Sequence, residues 1–263
     1  PYTTLFRSHL AEDVKKWIQL CEPCIKRKVV VPDRAALVNI SSTQPLELVC
    51  MDYLSLEPSK GGVENILVIT DHFTRFAYAV PTRNQTAKTT ANALYTYFLN
   101  YGFPKFLHSD QGKNFLSKTI KELCALAGIT KTRTTPYHAM GNGMTERFNS
   151  TLLNMLGTLE EDKKKDWKTY VPHMVHAYNA TKHDSTGYAP FFLMLGRHPR
   201  LPIDVAMGIH PEKDQEQTDY VQCLRKRMQY AFDVATRNAN KSAGAHKRIY
   251  DRRLRGGTVE VGD

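Results

Sequence analysis

At 263 residues, with 41% hydrophobic side chains, the chain can bury one sizeable core plus small appendages. Its net charge of +10 favours a polyanionic partner; with basic helical character confined to the C-terminal region, nucleic acid suits that charge better than a membrane surface. No apolar run approaches the roughly 18 to 20 residues of a membrane span, and no charged-then-apolar leader suggests secretion. The five cysteines, Cys21, Cys24, Cys50, Cys124 and Cys223, are odd in number and are expected to be reduced thiols, with Cys50 and Cys124 as small core residues.

Residues 1–8, Pro-Tyr-Thr-Thr-Leu-Phe-Arg-Ser, resemble the translation of a sequencing-library adapter and are expected to be an artefact. From His9 to Lys28 the pattern is helical, with Leu10, Val14, Trp17, Ile18 and Cys21 on one side. Residues 29–45 lack a period and read as a linker. Leu46–Leu56, Val63–Thr70 and Phe73–Pro81 read as three strands, turned by Lys60-Gly61-Gly62 and by Asp71-His72. Ala87–Tyr101 is a helix stopped at Gly102, and Phe106–Ser109 is a short strand. Leu116–Ala127 is a helix ended by Gly128, and Ile129–Thr132 a further strand.

Residues 134–143 are polar and glycine-rich and read as a mobile loop. Phe148, Leu152, Met155, Leu156 and Leu159 then give a helix its apolar stripe, and Trp167–Thr181 reads as one more helix. The order predicts an α/β fold: a mixed sheet flanked by helices. Between Arg225 and Arg255 ten Lys and Arg stand against Asp233 and Asp251, a basic helical extension over 206–255. Within it Tyr220, Tyr230, Phe232 and Tyr250 are expected to pack the helix rather than to stack on bases. Residues 256–263 look like the first strand of a further domain.

Three acids carry the chemistry. Asp52 lies in an apolar strand, Asp110 ends another inside His-Ser-Asp-Gln-Gly-Lys-Asn-Phe, and Glu146 opens a helix after Gly141-Asn142-Gly143. Phosphoryl transfer needs charge neutralisation and in-line geometry, which two divalent cations on a few carboxylates supply. Magnesium takes hard oxygen ligands, and crowded carboxylates repel one another until a cation arrives. Taken singly, each acid is more often a turn, cap or helix-dipole residue than a catalytic one; the flanking phrases are what turn the reading.

The phrases His108–Phe115, Tyr137–Asn149 and Leu46–Asp52, with Thr186–Phe191 and Leu195-Gly196-Arg197, resemble the catalytic core of integrases of gypsy-type long-terminal-repeat retrotransposons and their retroviral relatives. The thirty-five residues between Asp110 and Glu146 agree with that family. The resemblance implies an RNase H-like core over 46–205 and a polynucleotidyl transferase with associated endonuclease activity. It trims 3′ ends of element DNA and then joins them to target DNA. It implies that Asp52, Asp110 and Glu146 hold two Mg²⁺ (or Mn²⁺) ions, with Asp52 bridging both.

It further implies DNA contacts from Lys113, Met144, Arg147 and Asn149, and from Arg225, Lys226, Arg227, Lys247, Arg248, Arg252 and Arg253. Asn149 reads equally well as an ordinary polar helix-surface residue. Relatives usually carry glutamine at position 144 and proline at 139, where this chain has Met144 and Ala139; a thioether cannot replace an amide's donors and acceptor.

Cys21-Glu22-Pro23-Cys24 has zinc-knuckle spacing, and the resemblance makes the pair half of a His-His-Cys-Cys site. Residues 9–28 are then a partial zinc-binding segment whose site is incomplete here, because His9 aligns with neither expected histidine. Residues 256–263 would open a C-terminal β-barrel. The partners implied are element-end DNA, target DNA, further copies of the chain and chromatin, in the nucleus. A host-adopted, integrase-derived protein that binds DNA or chromatin without catalysis is the alternative. His173 and His176, three apart, find no third metal ligand, and Ser109 no histidine for a triad.

Overall fold

The computed structural model describes residues 10–22, 41–133, 143–207 and 217–251. Two bodies divide the chain: residues 1–37 with 250–263, and residues 38–249. In the first body the described residues form helix α1, Leu10–Leu20. Its apolar side, Val14, Trp17 and Ile18, is exposed, Trp17 by 73%.

The second body is built on a five-stranded sheet in the order β3-β2-β1-β4-β5. The strands are β1 Leu48–Ser59, β2 Val63–Asp71, β3 Ala77–Thr82, β4 Phe106–Ser109 and β5 Thr130–Arg133. β1, β2 and β3 pair antiparallel, whereas β4 and β5 run parallel to β1. The sheet is mixed, as the element order predicts. β1 and β2 sit centrally with both faces covered, which is why their sequences read as nearly continuous apolar runs.

Alternation along the strands divides the core. Val49, Met51, Leu67, Ile69 and Leu107 face one side. Helix α2 (Ala87–Tyr101) brings Leu94, Tyr97 and Phe98 to them, and α3 (Lys118–Leu126) brings Ile120 and Cys124. Ile66, Val68 and Ala77 face the other side. There they meet Phe148, Leu152 and Leu156 of α4 (Gly143–Gly157) and Val171 and Val175 of a later helix. Thr86 caps α2 by accepting from the Thr89 amide, and Gly102 stops it with φ 107°, a conformation costly for any side chain. Ser117 caps α3 in the same way.

After α4 come α5 (Glu161–Lys164), a 3₁₀ turn (Trp167–Thr169), α6 (Val171–Ala180), α7 (Pro190–Leu195) and α8 (Pro202–Ala206). The single helix expected over Trp167–Thr181 is therefore two pieces broken at Tyr170. Pro172, which lacks an N–H, fits the opening turn of α6 and not a helix interior.

The strand expected from Phe73 also starts later. Residues 73–76 form a turn in which the Arg75 N–H donates to the Asp71 carbonyl (3.0 Å) and the Asp71 N–H to the Phe76 carbonyl (2.9 Å). Leu46, expected in β1, has φ 59° and precedes that strand. Both departures centre on Asp71. Its buried carboxylate takes the Leu46 N–H (2.8 Å), the Thr74 N–H (2.8 Å) and the Thr74 hydroxyl (2.6 Å). Edge strand β3 is tied down by buried Asn179, which accepts from the Ala77 N–H and donates to the Ala77 carbonyl.

Helix α9, Gln217–Asp251, carries the basic extension. Ala231 and Ala235 are buried with Phe73 and Leu193, and Phe232 meets Phe73 edge-on at 5.3 Å. Tyr230, expected to pack, is 64% exposed because it projects from the opposite side of the helix. Among the described residues no helix is long and apolar enough to cross a membrane.

Candidate active site

Parallel pairing of β1 with β4 sets Met51 against Ser109, so the residues that follow, Asp52 within β1 and Asp110 just beyond β4, come side by side. Asp52 pairs with Val68 and shares the sheet face covered by α4. Its Oδ1 accepts the Tyr53 N–H at 2.8 Å, and its Oδ2 accepts from Asn149 Nδ2 at 3.0 Å. Burial raises the Asp52 pKa; the Tyr53 N–H opposes that rise, and the nearby charges of Asp110 and Glu146 add to it. Asp110 and Glu146 thus both stand within electrostatic reach of Asp52.

Asp110 ends β4 in a tight turn. Its Oδ1 accepts the Gly112 N–H at 2.9 Å, and a Cβ on Gly112 would lie 3.1 Å from that oxygen and 2.7 Å from Asn114 Oδ1. A side chain there would force the Asn114 and Asp110 side chains to shift. Phe115, just beyond, stacks on Tyr53 at 5.6 Å and joins the turn to β1.

Glu146 lies in the first turn of α4 and is exposed. Thr145 beside it is buried, and its hydroxyl meets that of Thr70 on β2 at 2.9 Å. Phe148, Asn149, Leu152 and Leu156 continue the buried face at helical spacing.

The donor set fits a hard divalent cation. All three acids offer carboxylate oxygens, their repulsion at Asp52 is what a cation relieves, and Asn149 Oδ1 is buried beside them with no hydrogen-bond partner. Among the described residues, however, no three His, Cys, Asp or Glu side chains are gathered closely enough to hold a metal.

The remaining residues singled out by sequence fall as follows. Asn149 is not an ordinary surface residue: it is 6% exposed and bonded to Asp52. Met144 accepts from Arg75 through its sulfur at 2.7 Å. Lys113 and Arg147 are exposed, as are Arg225, Lys226, Arg227 and Arg248 on α9, with Lys247 partly so. Arg252, Arg253 and Cys24 lie outside the described residues, so the cysteine pair is not seen together; Cys21 carries a free thiol.

Two residues were missed. Lys131 on β5 donates to the Ser109 hydroxyl, directly before Asp110, and burial draws its pKa down to about 8. Arg75 reaches from the β2–β3 turn to the start of α4. Only proximity in the sheet reveals the first, and neither has a sequence signal of its own.

Comparisons with known proteins bear on the fold and the family. A family model described as the integrase core domain matches residues 42–139. The Pro-Pol polyprotein of feline foamy virus is 30% identical over 197 residues, covering 73% of this chain and 17% of that protein. Gypsy retrotransposon integrase-like protein 1 of Bos taurus is 26% identical over 203 residues, 76% of this chain and 40% of that protein. The chain thus spans less than half the length of either relative.

In fold, the chain resembles the simian T-cell lymphotropic virus intasome structure with a TM-score of 0.53 at 18% identity, covering 78% of this chain and 70% of that one. The HTLV-2 integrase catalytic core in complex with magnesium gives a TM-score of 0.51 at 18% identity, over 59% of this chain and 99% of that one. With its RNase H-like sheet and these relatives, the chain carries an integrase core domain over residues 42–139 and is similar to retroviral and gypsy-type integrases.

Proposed function

We propose that this chain is the catalytic part of a gypsy-type integrase, which trims the 3′ ends of element DNA and joins them to target DNA. The observation that carries this reading is the placement of Asp52 and Asp110 on adjoining parallel strands, with Glu146 close enough to raise the Asp52 pKa. Asp52, Asp110 and Glu146 would hold Mg²⁺ or Mn²⁺, which when bound supplies charge neutralisation at the phosphodiester.

The chain's own residues do the positioning. Asn149 orients one oxygen of Asp52 and leaves the other to the Tyr53 amide. The Gly112 amide turns Asp110 at the strand end, while Thr145 fixes the helix that carries Glu146. Both steps are in-line displacements, by water in one and by a DNA 3′-hydroxyl in the other, so one site serves both.

Exposed Lys113 and Arg147, with Arg225, Lys226 and Arg248 of α9, would neutralise DNA phosphates and make binding salt-dependent. Joining two DNA ends in concert calls for more than one copy of the chain, and a chromosomal target places the work in the nucleus. Cys21 and Cys24 would bind zinc only together with two further ligands.

The test is transfer of a labelled duplex bearing the element's own end, with a free 3′-hydroxyl, into plasmid with Mn²⁺ or Mg²⁺. Joined product from the parent, lost in each of Asp52→Asn, Asp110→Asn and Glu146→Gln, supports the reading. DNA binding with no joined product under any metal condition points instead to a non-catalytic, DNA-binding descendant.

A further inference from the structure

We propose that Arg75 is a positioning residue for the acid site: its guanidinium seats the first turn of α4, and with it Glu146, through the side chain at position 144. The proposal rests on the reading of Glu146 as a member of the catalytic triad.

The backbone is the first observation. Arg75 has φ 67°, the left-handed region in which a branched, bulky side chain is uncommon. Such a conformation costs on the order of the few-fold to hundred-fold population penalties that surrounding structure must over-determine. Here the enclosing turn does so through the Asp71 carboxylate, which takes the Thr74 N–H and hydroxyl, and through the Thr74 hydroxyl, which takes the Phe76 N–H at 3.1 Å.

That strained turn holds a partly buried cation. The Asp71 carboxylate lies within electrostatic reach of Arg75, but its oxygens are committed to the turn and to Leu46. The guanidinium instead donates from Nη1 to the His72 carbonyl at 2.6 Å and to Met144 Sδ at 2.7 Å, and from Nε to Ser185 Oγ at 3.3 Å. Ser185 is held in turn, its hydroxyl 3.0 Å from His183 Nδ1.

Met144 is two residues before Glu146 and adjoins Thr145, which is pinned to Thr70. Among the described residues, the first turn of α4 is therefore attached through Thr145 to β2 and through Met144 to the turn that follows β2. The first attachment is a hydroxyl pair. The other is Arg75, and its partner atom is a thioether, a weak acceptor whose sulfur is large for a 2.7 Å approach. An amide oxygen at position 144 would give the guanidinium a full acceptor.

The test uses the full chain in four forms: parent, Met144→Gln, Arg75→Lys and the double variant. Amide hydrogen exchange is read at Thr145–Asn149 without metal, and the Mn²⁺ concentration for half-maximal strand transfer is read beside it. Met144→Gln is expected to slow exchange in that turn by about fivefold and to lower the Mn²⁺ requirement, as a charge-assisted hydrogen bond to an amide should. Arg75→Lys keeps the charge but loses the fork; it is expected to speed exchange and to cancel the effect of glutamine in the double variant.

Met144→Gln decides alone should Arg75→Lys fail to fold. Exchange and Mn²⁺ requirement both unchanged by Met144→Gln, or an equal gain in the Arg75→Lys background, overturns the proposal. Exchange is read without catalysis, so altered protection with no transfer from any form rejects the triad reading, and separates that failure from the failure of the Arg75 contact.

Discussion

Asn149 donates from Nδ2 to Asp52 Oδ2 across 3.0 Å, and so fastens the helix of Glu146 to the strand of Asp52. The bond spans two elements that the chain places far apart, and it is made by a side chain 6% exposed whose Oδ1 has no partner. Asn149→Ala removes the only side-chain donor seen on Asp52 among the described residues. Strand transfer is expected to fall about tenfold, since a misplaced catalytic group costs one to two orders of magnitude. A rise in the Mn²⁺ requirement should accompany it. Unchanged transfer at limiting Mn²⁺ would show that Asn149 is only a packing residue.

Gly112→Ala should act on Asp110 without touching it. The added Cβ meets Asn114 Oδ1 at 2.7 Å and Asp110 Oδ1 at 3.1 Å, so those side chains have to shift. Folding stability is expected to drop by about 1 kcal/mol, in the range of ordinary local strain, and transfer by considerably more than that drop explains. Comparing urea unfolding with transfer rates checks it; proportional losses in both would contradict a specific effect on Asp110.

The Thr70–Thr145 hydroxyl pair, fully buried at 2.9 Å, makes a separable stability prediction. Thr145→Val leaves Thr70 without its partner and is expected to cost about 1–3 kcal/mol, while the double change to valine recovers much of that loss. A double-mutant cycle from urea unfolding measures it. Additive losses would mean that the hydroxyls do not depend on each other.

Acid should destabilise the second body through its histidines. His72 is held at a pKa of about 3, chiefly by burial and further by the charges of Arg75 and His108. His108 and His183 are lowered too, again first by burial. The folded state thus binds fewer protons than the unfolded one wherever pH lies between about 3 and the ordinary 6.5. Stability from His72 is complete above 6.5 and lost as pH falls toward 3, with about 1–2 kcal/mol gone by pH 5. Urea unfolding at pH 7.5 and pH 5 reads this directly, and His72→Gln should flatten the dependence. An unchanged slope in that variant would remove His72 as the cause.

Much of the site could be read in the chain, and for identifiable reasons. Apolar runs around Asp52 mark a doubly covered strand, and the phrases around Asp110 and Glu146 mark a strand end and a helix start. What escaped was long-range. The alternation that suggested a strand from Phe73 is the same alternation that a turn caged by Asp71 displays, because local pattern carries no record of a carboxylate bonding 25 residues back to Leu46. Arg75 and Lys131 carry no signal of their own in the chain; the turn after β2 brings one to α4, and strand register sets the other behind Asp110. Trp167–Thr181 has helical spacing throughout, and only Pro172 hints that the helix begins anew after Tyr170.

Cation binding by the chain itself bears most directly on the central claim that Asp52, Asp110 and Glu146 form one metal-dependent centre. Calorimetric titration with Mn²⁺ would compare the parent with Asp52→Asn, Asp110→Asn and Glu146→Gln, each first shown to unfold cooperatively. The account predicts saturable binding by the parent, lost or weakened at least tenfold in all three. Equal binding by the parent and all three variants would contradict it.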